Sequence, residues 1–434
     1  MENDSKYDLI YPWNTQDHNR QCQNKELAAN LQQVELNDET LRDGLQSPSV
    51  RTPSLDEKIK ILHYMEKLGI HSVDLGIPAA GATVKFDVLH LAVEAMHNKM
   101  KLQLGCAGRT IISDLEPIVE ISHQIGVPIE AGTFIGSSMI RQYAESWNLE
   151  GMLKKTKEAV KFAVDNNLEV MYVTEDTTRT DPRIVEQLYL TAIEAGARRI
   201  CLCDTVGYAT PAGVTNLIKF VKGFLKDTKE EIKIDWHGHN DRGLGLANTL
   251  AAIRGGVNRV QGTCLGIGER SGNTSIDQLL INLFLLGKKD IHLHSLGAYC
   301  EYVSSVCDTP IPNNYPAIGR DAFRTATGVH AAAIIKALKT KKDKWLADYV
   351  YSAVPASELG LQQKIDIGPV SGKSNVVFWL EQRGIEPTEK QVEIIFQYAK
   401  QAKHTLTENE VYALIDMKSD FNASAILKDI TETA

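Results

Sequence analysis

The stretch IDWHGHNDRGLGLANTLAAIRGGVNRVQGTCLGIGERSGN, residues 234–273, begins with an apolar run that ends in two histidines one residue apart. In a β-strand, residues i and i+2 point to the same face, so His237 and His239 would aim both imidazoles at one place. Asn240, Asp241 and a glycine-rich turn follow at once. A pair of imidazoles held together in this way is a geometry typical of metal ligands.

The alternation of apolar runs and helix-like stretches extends along most of the chain. Stretches such as 54–69 and 148–167 carry apolar residues at i, i+3 and i+4, and Ser54 and Glu57 have the spacing of a capping box. The strand-like runs lie at residues 34–36, 72–76, 101–105, 129–134, 168–174, 199–204, 232–239 and 259–263. Eight such units over about 255 residues predict an α/β fold, a closed (β/α)8 TIM barrel. A doubly wound sheet is the alternative, but it would normally use fewer strands.

The pattern changes beyond residue 300, because 307–323 is rich in Pro and Asn and is typical of an irregular linker. Helix-like stretches follow at 328–351, 389–403 and 408–430, which predict a small, mostly helical C-terminal appendage. The predicted organisation is a polar N-terminal arm at 1–31, a barrel domain at 32–300, a linker and first C-terminal subdomain at 301–372, and a helical second subdomain at 373–434.

Composition indicates a globular chain with small-molecule partners. Of its 434 residues 43% are hydrophobic and 24% charged, and the net charge of -8 with a pI near 5.9 argues against nucleic-acid binding. The apolar run 279–286 is too short to span a membrane, and the polar N-terminus lacks the apolar core of a secretion signal. Seven scattered cysteines favour reduced thiols and a cytoplasmic location.

In TIM barrels the active site lies at the carboxyl ends of the strands, so polar residues there are functional candidates. These are Arg42 and Asp43 after the first strand, Glu175 after the fifth, Thr205 after the sixth, His237 and His239 on the seventh, and Asn273 in the loop after the eighth. Asp43, His237, His239 and Asn273 would provide one carboxylate, two imidazoles and one amide oxygen. Such a set suits Mn²⁺, Mg²⁺ or Zn²⁺ and leaves room for a bidentate small ligand.

Each candidate also has a structural interpretation, since a single Asp after a strand often caps a turn and a single His often only packs. Ligation is favoured here because isolated buried charges are costly unless they are paired or bound to a metal. His292 and His294 have the same spacing but no acidic partner, so for them we predict a surface or packing role.

Four motifs resemble one enzyme family. They are ETLRDGLQS (39–47), HGHNDRGLGLANTLAA (237–252), GIGERSGN (266–273) and TATGVHAAAIIKA (325–337). Together they resemble the acyl-CoA-dependent Claisen condensation enzymes related to 2-isopropylmalate synthase, with homocitrate and citramalate synthases as close relatives and 3-hydroxy-3-methylglutaryl-CoA lyase as a more distant one. The resemblance covers roughly residues 33–375 and is specific because the motifs occur in order.

The resemblance implies a divalent ion that chelates the carboxylate and ketone of a 2-oxo acid and polarises the carbonyl, with acetyl-CoA as co-substrate. Arg42 would stabilise the alkoxide that develops, and Glu175 would hold or activate substrate. His330 is similar to the family's appendage histidine, which often reaches the neighbouring subunit's active site, so the resemblance implies a homodimer with exchanged appendages. Tyr351 would accompany it, with Tyr349 as a near competitor.

The sequence departs from the synthase pattern at three positions. Val173 stands where a serine is common, Pro369 where a lysine is common, and Leu45 where an acidic residue is usual. The loop 266–273 also lacks the cysteine that the lyase carries there. No leucine-binding regulatory domain is expected within these 434 residues.

The main hypothesis is condensation of acetyl-CoA with 2-oxoisovalerate to give 2-isopropylmalate. Pyruvate, 2-oxoglutarate or another 2-oxo acid would be substrates of the same class, because a methylene in a pocket changes specificity by only about 1–3 kcal/mol. The next hypothesis is an acyl-CoA lyase that cleaves a carbon–carbon bond. The hypothesis from another class is a non-catalytic protein that binds an oxo acid or CoA.

Overall fold

The computed structural model describes residues 9–11, 14, 30–288 and 290–416. Nearly all of the predicted arm at 1–31, and the end of the helix-like stretch 408–430, lie outside the described residues. By its contacts the chain divides into a first unit, residues 1–310, and a second unit, residues 311–434. The predicted barrel boundary at residue 300 falls inside a helix that packs on the first barrel helix, so the structure places the division later.

Eight parallel strands of the first unit form a closed barrel in sequence order, because β1 pairs with both β2 and β8. The strands are β1 (Glu35–Asp38), β2 (Ser72–Asp74), β3 (Gln103–Arg109), β4 (Glu130–Gly136), β5 (Glu169–Glu175), β6 (Arg199–Asp204), β7 (Lys233–Gly238) and β8 (Arg259–Gly262). All eight predicted strands are present, which confirms the TIM barrel and excludes the doubly wound sheet.

Helices connect the strands. They are α1 (Leu55–Leu68), α2 (Ala82–His97), α3 (Ile112–Ile125), α4 (Met139–Glu145), α5 (Leu149–Asp165), α6 (Pro182–Glu194), α7 (Pro211–Leu225), α8 (Gly245–Arg254), α9 (Ile276–Leu285) and α10 (Leu296–Val306). The predicted capping box of α1 is confirmed, since the Ser54 hydroxyl accepts from Glu57 N and the Glu57 carboxylate accepts from Ser54 N. None of the described helices is long and apolar enough to cross a bilayer.

Side chains alternate along β7 between the two faces of the barrel wall. Asp235 and His237 face the barrel interior and bond there to residues of β8. Trp236 lies between them, so its side chain points to the other face of the wall, where it is fully buried. Asp235 belongs to a layer of buried charges that also contains Arg199, Arg259 and Glu130. His237 lies one layer nearer the carboxyl ends of the strands, so this ionic layer supports the residues of the site.

The second unit is mostly helical, as predicted. It contains β9 (Arg324–Thr325), α11 (Gly328–Lys339), α12 (Lys344–Tyr349), β10 (Lys364–Ile365), α13 (Lys373–Glu381), α14 (Glu389–Gln401) and α15 (Glu408–Ile415). One buried apolar cluster includes Ile334 and Phe378, and a second includes Trp379 and Ile395. Helix α13 contributes to both clusters, because Phe378 and Trp379 are neighbours on it.

The stretch 328–351, predicted to be mostly helical, contains two helices with a break at its centre. Lys342 has a φ of 50°, in the left-handed region, so the helix ends before it. The Asp343 carboxylate then caps α12 by accepting a hydrogen bond from Leu346 N at 3.2 Å. The sequence pattern missed this break because a polar, lysine-rich turn has the same hydropathy as an exposed helix face.

Candidate active site

A cavity of about 300 Å³ lies at the carboxyl ends of the barrel strands. Six of the residues predicted from the sequence line it: Arg42, Asp43, Glu175, Thr205, His237 and His239. Other polar residues of the lining were not predicted: Glu39, Gln46, Asp74, Gln261, Glu269 and Arg270. The structure therefore brings together side chains from positions more than 200 residues apart.

Asp43, His237 and His239 form a cluster whose geometry fits a metal ion. Nε2 of His237 lies 3.1 Å and Nε2 of His239 lies 3.6 Å from the same carboxylate oxygen of Asp43, and the two Nε2 atoms are 3.2 Å apart. Adjacent ligands around an octahedral ion, each at about 2.1 Å, are separated by about 3 Å. All three side chains are buried, so they could share one ion without relocation.

The hydrogen bonds of the Asn273 side chain indicate whether a cation fits the cluster. It forms an isolated bridge with His239, and its Nδ2 donates to the Ile267 carbonyl at 3.1 Å. Its Oδ1 is buried and accepts no hydrogen bond within the described structure. A buried acceptor without a partner is destabilising, and a cation would satisfy it. The predicted fourth ligand is thus compatible with the cluster.

Glycines in the GIGERSGN loop allow Asn273 to lie where it does. Gly272 has a φ of 79°, and a Cβ there would overlap the carbonyl of Gly266. A Cβ on Gly268, at a φ of 152°, would overlap the Asn273 amide. Only glycine adopts such backbone conformations without strain and also allows this close approach.

The electrostatics of the cluster favour a cation. Burial raises the pKa of Asp43, but Arg42 and the two imidazoles outweigh burial and hold that pKa far below its ordinary value. Burial lowers the pKa of His237, but the Asp43 carboxylate raises it to about 9. Burial and the charge of His237 lower the pKa of His239 to about 4. Asp43 therefore stays ionised, and one proton lies where a divalent ion could replace it.

Arg42 is held in place by carboxylates that the sequence analysis did not select. It forms ion pairs with Glu39 and, at 3.2 Å, with Asp74, and its guanidinium lies 3.6 Å from the Asp43 carboxylate. Asp74 ends β2 and Glu39 follows β1. The rule that polar residues at strand ends are candidates would have found both.

Glu175 and Thr205 line the cavity on the side of β5 and β6. Burial raises the pKa of Glu175, which makes it able to hold a proton more readily than a solvated carboxylate. The Thr205 hydroxyl accepts a hydrogen bond from Asp176 N at 2.7 Å. Its own proton can therefore be donated to a substrate oxygen.

Apolar side chains form part of the cavity wall: Ile77, Ala107, Phe134, Met171 and Val173. Arg42 and Arg270 are the two arginines of the described lining, and each is paired with carboxylates. Such a wall suits an alkyl group better than a second carboxylate.

His330 and Tyr351 lie in the second unit, where their ring centroids are 4.1 Å apart at an interplanar angle of 31°. Both side chains are exposed. Tyr349 instead packs on Trp345, with centroids 4.9 Å apart. Of the two tyrosines considered from the sequence, Tyr351 is therefore the one whose ring packs on His330.

The second histidine pair of the chain behaves differently from the His237–His239 pair. His292 and His294 are exposed, and neither belongs to a group of potential metal ligands among the described residues. The second such group is Cys264, Asp277 and Cys300, all buried. The six described cysteines are free thiols.

The sequence of the chain is similar to those of known proteins. The HMGL-like family matches residues 33–303. A homocitrate synthase of Methanopyrus kandleri is 30% identical over 372 residues, which cover 85% of this chain and 87% of that protein. A 2-isopropylmalate synthase of Streptococcus gallolyticus is 31% identical over 397 residues, which cover 89% of this chain and 73% of that protein.

A crystal structure of the HMG-CoA lyase of Bacillus subtilis has a TM-score of 0.55 and 20% sequence identity, and covers 65% of this chain and 96% of its own. At that identity the likeness concerns the fold. The identity to the curated relatives extends over most of the chain. The chain belongs to the HMGL-like family, in the group of acyltransferases that comprises 2-isopropylmalate synthases and homocitrate synthase.

Proposed function

We propose that the protein condenses acetyl-CoA with a 2-oxo acid and hydrolyses the resulting thioester, so that free CoA and an alkylmalate leave. The observation that carries this proposal is the convergence of Asp43, His237 and His239 beside Arg42 in one cavity. Two imidazoles and a carboxylate would hold an ion and would leave room for a 2-oxo acid to bind it through its carboxylate and ketone.

Asp43, His237, His239 and Asn273 would hold the ion, which when bound supplies Lewis acidity at the ketone oxygen. Arg42 places its positive charge beside Asp43, where negative charge develops on that oxygen as the new carbon–carbon bond forms. The ion pairs with Glu39 and Asp74 fix the guanidinium before substrate binds, so little reorganisation is needed.

Proton transfer from the acetyl methyl group requires a group that can accept the proton. The acetyl methyl group must lose a proton to become a nucleophile, and the Glu175 carboxylate lines the cavity and holds protons more readily because it is buried. Thr205 would donate to the carboxylate of the oxo acid. Glu175 therefore positions or activates substrate, and Thr205 binds it.

The apolar wall favours 2-oxoisovalerate as the oxo acid and 2-isopropylmalate as the product, as in leucine biosynthesis. A branched alkyl group would bury its methyl groups against Phe134 and Val173, at about 0.8 kcal/mol for each CH₂ unit. 2-Oxoglutarate would bring a second carboxylate to a wall whose arginines already have partners. Pyruvate would leave part of the apolar wall without a contact to substrate.

We propose further that the protein is a homodimer in which His330 and Tyr351 act at the partner's barrel. His330 lies in the first turn of α11 and Tyr351 follows α12, and their rings form an exposed pair that a second copy could cover. The free buried thiols fit a reducing compartment such as the cytoplasm.

The test is release of CoA thiol from acetyl-CoA with a panel of 2-oxo acids, with Mn²⁺, Mg²⁺ or Zn²⁺ and after chelation. We expect metal-dependent release with 2-oxoisovalerate as the preferred acid. Preference for 2-oxoglutarate or pyruvate would keep the reaction class and correct the substrate. No release with any acid would contradict the proposal, and cleavage of acyl-CoA would then indicate a lyase.

A further inference from the structure

Gln261 lies inside β8 and contacts both a metal-ligand candidate and the ionic layer of the barrel. Its Oε1 is 3.0 Å from Nδ1 of His237, and its Nε2 is 3.1 Å from Oδ2 of Asp235. Gln261 is only 2% exposed, and Asp235 is fully buried. The amide is therefore confined between two fixed partners.

The orientation of the Gln261 amide follows from the chemistry of Asp235. A carboxylate that pairs with arginines accepts hydrogen bonds, so the NH₂ group of Gln261 must face it. Asp235 forms ion pairs with Arg199 Nη1 at 2.7 Å and Arg259 Nε at 2.6 Å, and both arginines also pair with Glu130. The Gln261 carbonyl oxygen must then face His237, and an oxygen in that position can only accept.

We infer that Gln261 is a positioning residue that holds the proton of His237 on Nδ1 and so presents the lone pair of Nε2 to the ion. The inference rests on the proposed ion at Asp43, His237 and His239. His239 has no equivalent support, because its buried Nδ1 has no hydrogen-bond partner in the described structure. His237 is thus fixed by the protein, and the ion itself would fix His239.

The experiment compares Gln261→Leu and Gln261→Glu by titrating the metal-free protein with Mn²⁺ and measuring free Mn²⁺ by electron paramagnetic resonance. Leu keeps most of the volume but removes the acceptor, so the Kd for Mn²⁺ should rise by about 10- to 100-fold. Glu keeps an acceptor opposite His237 and should bind Mn²⁺ more tightly than Leu does. If the residue only filled space, Glu would be the worse variant because it adds a buried charge beside Asp235.

The matched control is Gln142→Leu. Gln142 is also buried, at 7% exposure, and its Nε2 donates to the Ser137 carbonyl at 2.8 Å, but it does not line the cavity. The Gln142→Leu variant should bind Mn²⁺ as tightly as the unaltered protein does. Its melting temperature measures how much stability is lost when any buried glutamine is removed.

A second measurement reads the tautomer directly. In protein labelled with ¹⁵N-histidine and loaded with Zn²⁺, NMR should show His237 protonated on Nδ1 in the unaltered protein and in Gln261→Glu. If Gln261→Leu does not fold, loss of the Nδ1 proton in Gln261→Glu would overturn the inference, and its retention would support it. Equal Mn²⁺ affinity of Gln261→Leu and the unaltered protein would also overturn it. Failure of the unaltered protein to bind any divalent ion would overturn the proposed function itself.

Discussion

The Nε2 atoms of His237 and His239 lie 3.2 Å apart and face one carboxylate oxygen of Asp43. Two imidazole nitrogens approach this closely when they share a proton or a metal ion. Because Asn273 adds a buried oxygen that has no donor among the described residues, the arrangement is better suited to an ion than to a proton alone.

Replacement of His237 by Ala should abolish metal binding and CoA release together. Removal of a direct ligand should lower the metal affinity by more than the roughly 10- to 100-fold that is typical when a residue supporting a ligand is replaced. The measurement is Mn²⁺ titration beside the CoA-release assay, with far-UV circular dichroism to confirm folding. His292→Ala, an exposed histidine with the same spacing, should change neither, and retained activity in His237→Ala would refute the site.

The arrangement of subunits can be tested by mixing two inactive variants, His237→Ala and His330→Ala. If His330 acts at the partner's barrel, each mixed dimer contains one intact site. After random subunit exchange about a quarter of all sites should then recover activity. If each appendage served its own barrel, mixed dimers would contain no intact site and CoA release would stay at the level of the separate variants.

Gly272→Ala should destabilise the loop that carries Asn273. The left-handed φ costs about 1–3 kcal/mol for a residue with a Cβ, and overlap with the Gly266 carbonyl adds to it. Gly243→Ala is the control, since Gly243 has a φ of 69° but nothing within 4 Å of its Cβ position. Urea unfolding should show a larger loss for Gly272→Ala, and Mn²⁺ affinity should fall in that variant alone. Equal losses would show that the close approach is unimportant.

Phe134→Ala should shift the preference toward oxo acids with longer side chains. The removed ring enlarges the apolar part of the cavity, and each added methylene is worth about 1–3 kcal/mol of discrimination, or about 10- to 200-fold. The kcat/KM ratio of 2-oxo-4-methylvalerate to 2-oxoisovalerate measures it. Phe86→Ala, at a side chain 54% exposed, should leave the ratio unchanged. An unchanged ratio in Phe134→Ala would show that the alkyl group of the oxo acid contacts another wall of the cavity.

Asp38 should make stability depend on pH in the opposite sense to most carboxylates. Burial raises its pKa to about 6 despite hydrogen bonds from Thr40 and Tyr299, against 3.8 for a free carboxyl group. The folded state therefore binds the proton more tightly than the unfolded chain. The stabilisation is full below pH about 4 and is lost as the pH rises through about 6.

Urea unfolding at several pH values measures this effect as a difference between the unaltered protein and Asp38→Asn. As the pH falls from 7 to 4, the unaltered protein should gain stability relative to the variant. Asp181 supplies a control of opposite sign, because hydrogen bonds from Arg183 lower its pKa. Relative to Asp181→Asn, the unaltered protein should keep its stability from pH 7 down to about 4 and lose stability only as the pH falls further. A flat difference for Asp38→Asn would contradict the assignment.

The sequence alone determined the eight strands, their order and six of the residues that line the cavity. Alternating hydropathy has a period set by local backbone geometry, so strands and helices can be recognised without knowing what they touch. His237 and His239 share a face because of that same period, and Asp43, Glu175 and Thr205 meet because the carboxyl ends of barrel strands converge.

Only the tertiary structure decided which side chains bond across the strands. The contact of Gln261 with His237 depends on the register of β7 against β8, which is fixed by closure of the whole barrel. The pairing of Arg42 with Asp74 and the packing of Tyr351, rather than Tyr349, on His330 depend in the same way on contacts between separate segments. Local patterns specify the elements. Hydrogen bonds and ion pairs between elements depend on interatomic distances that must be correct to within a few tenths of an ångström, and no local pattern contains that information.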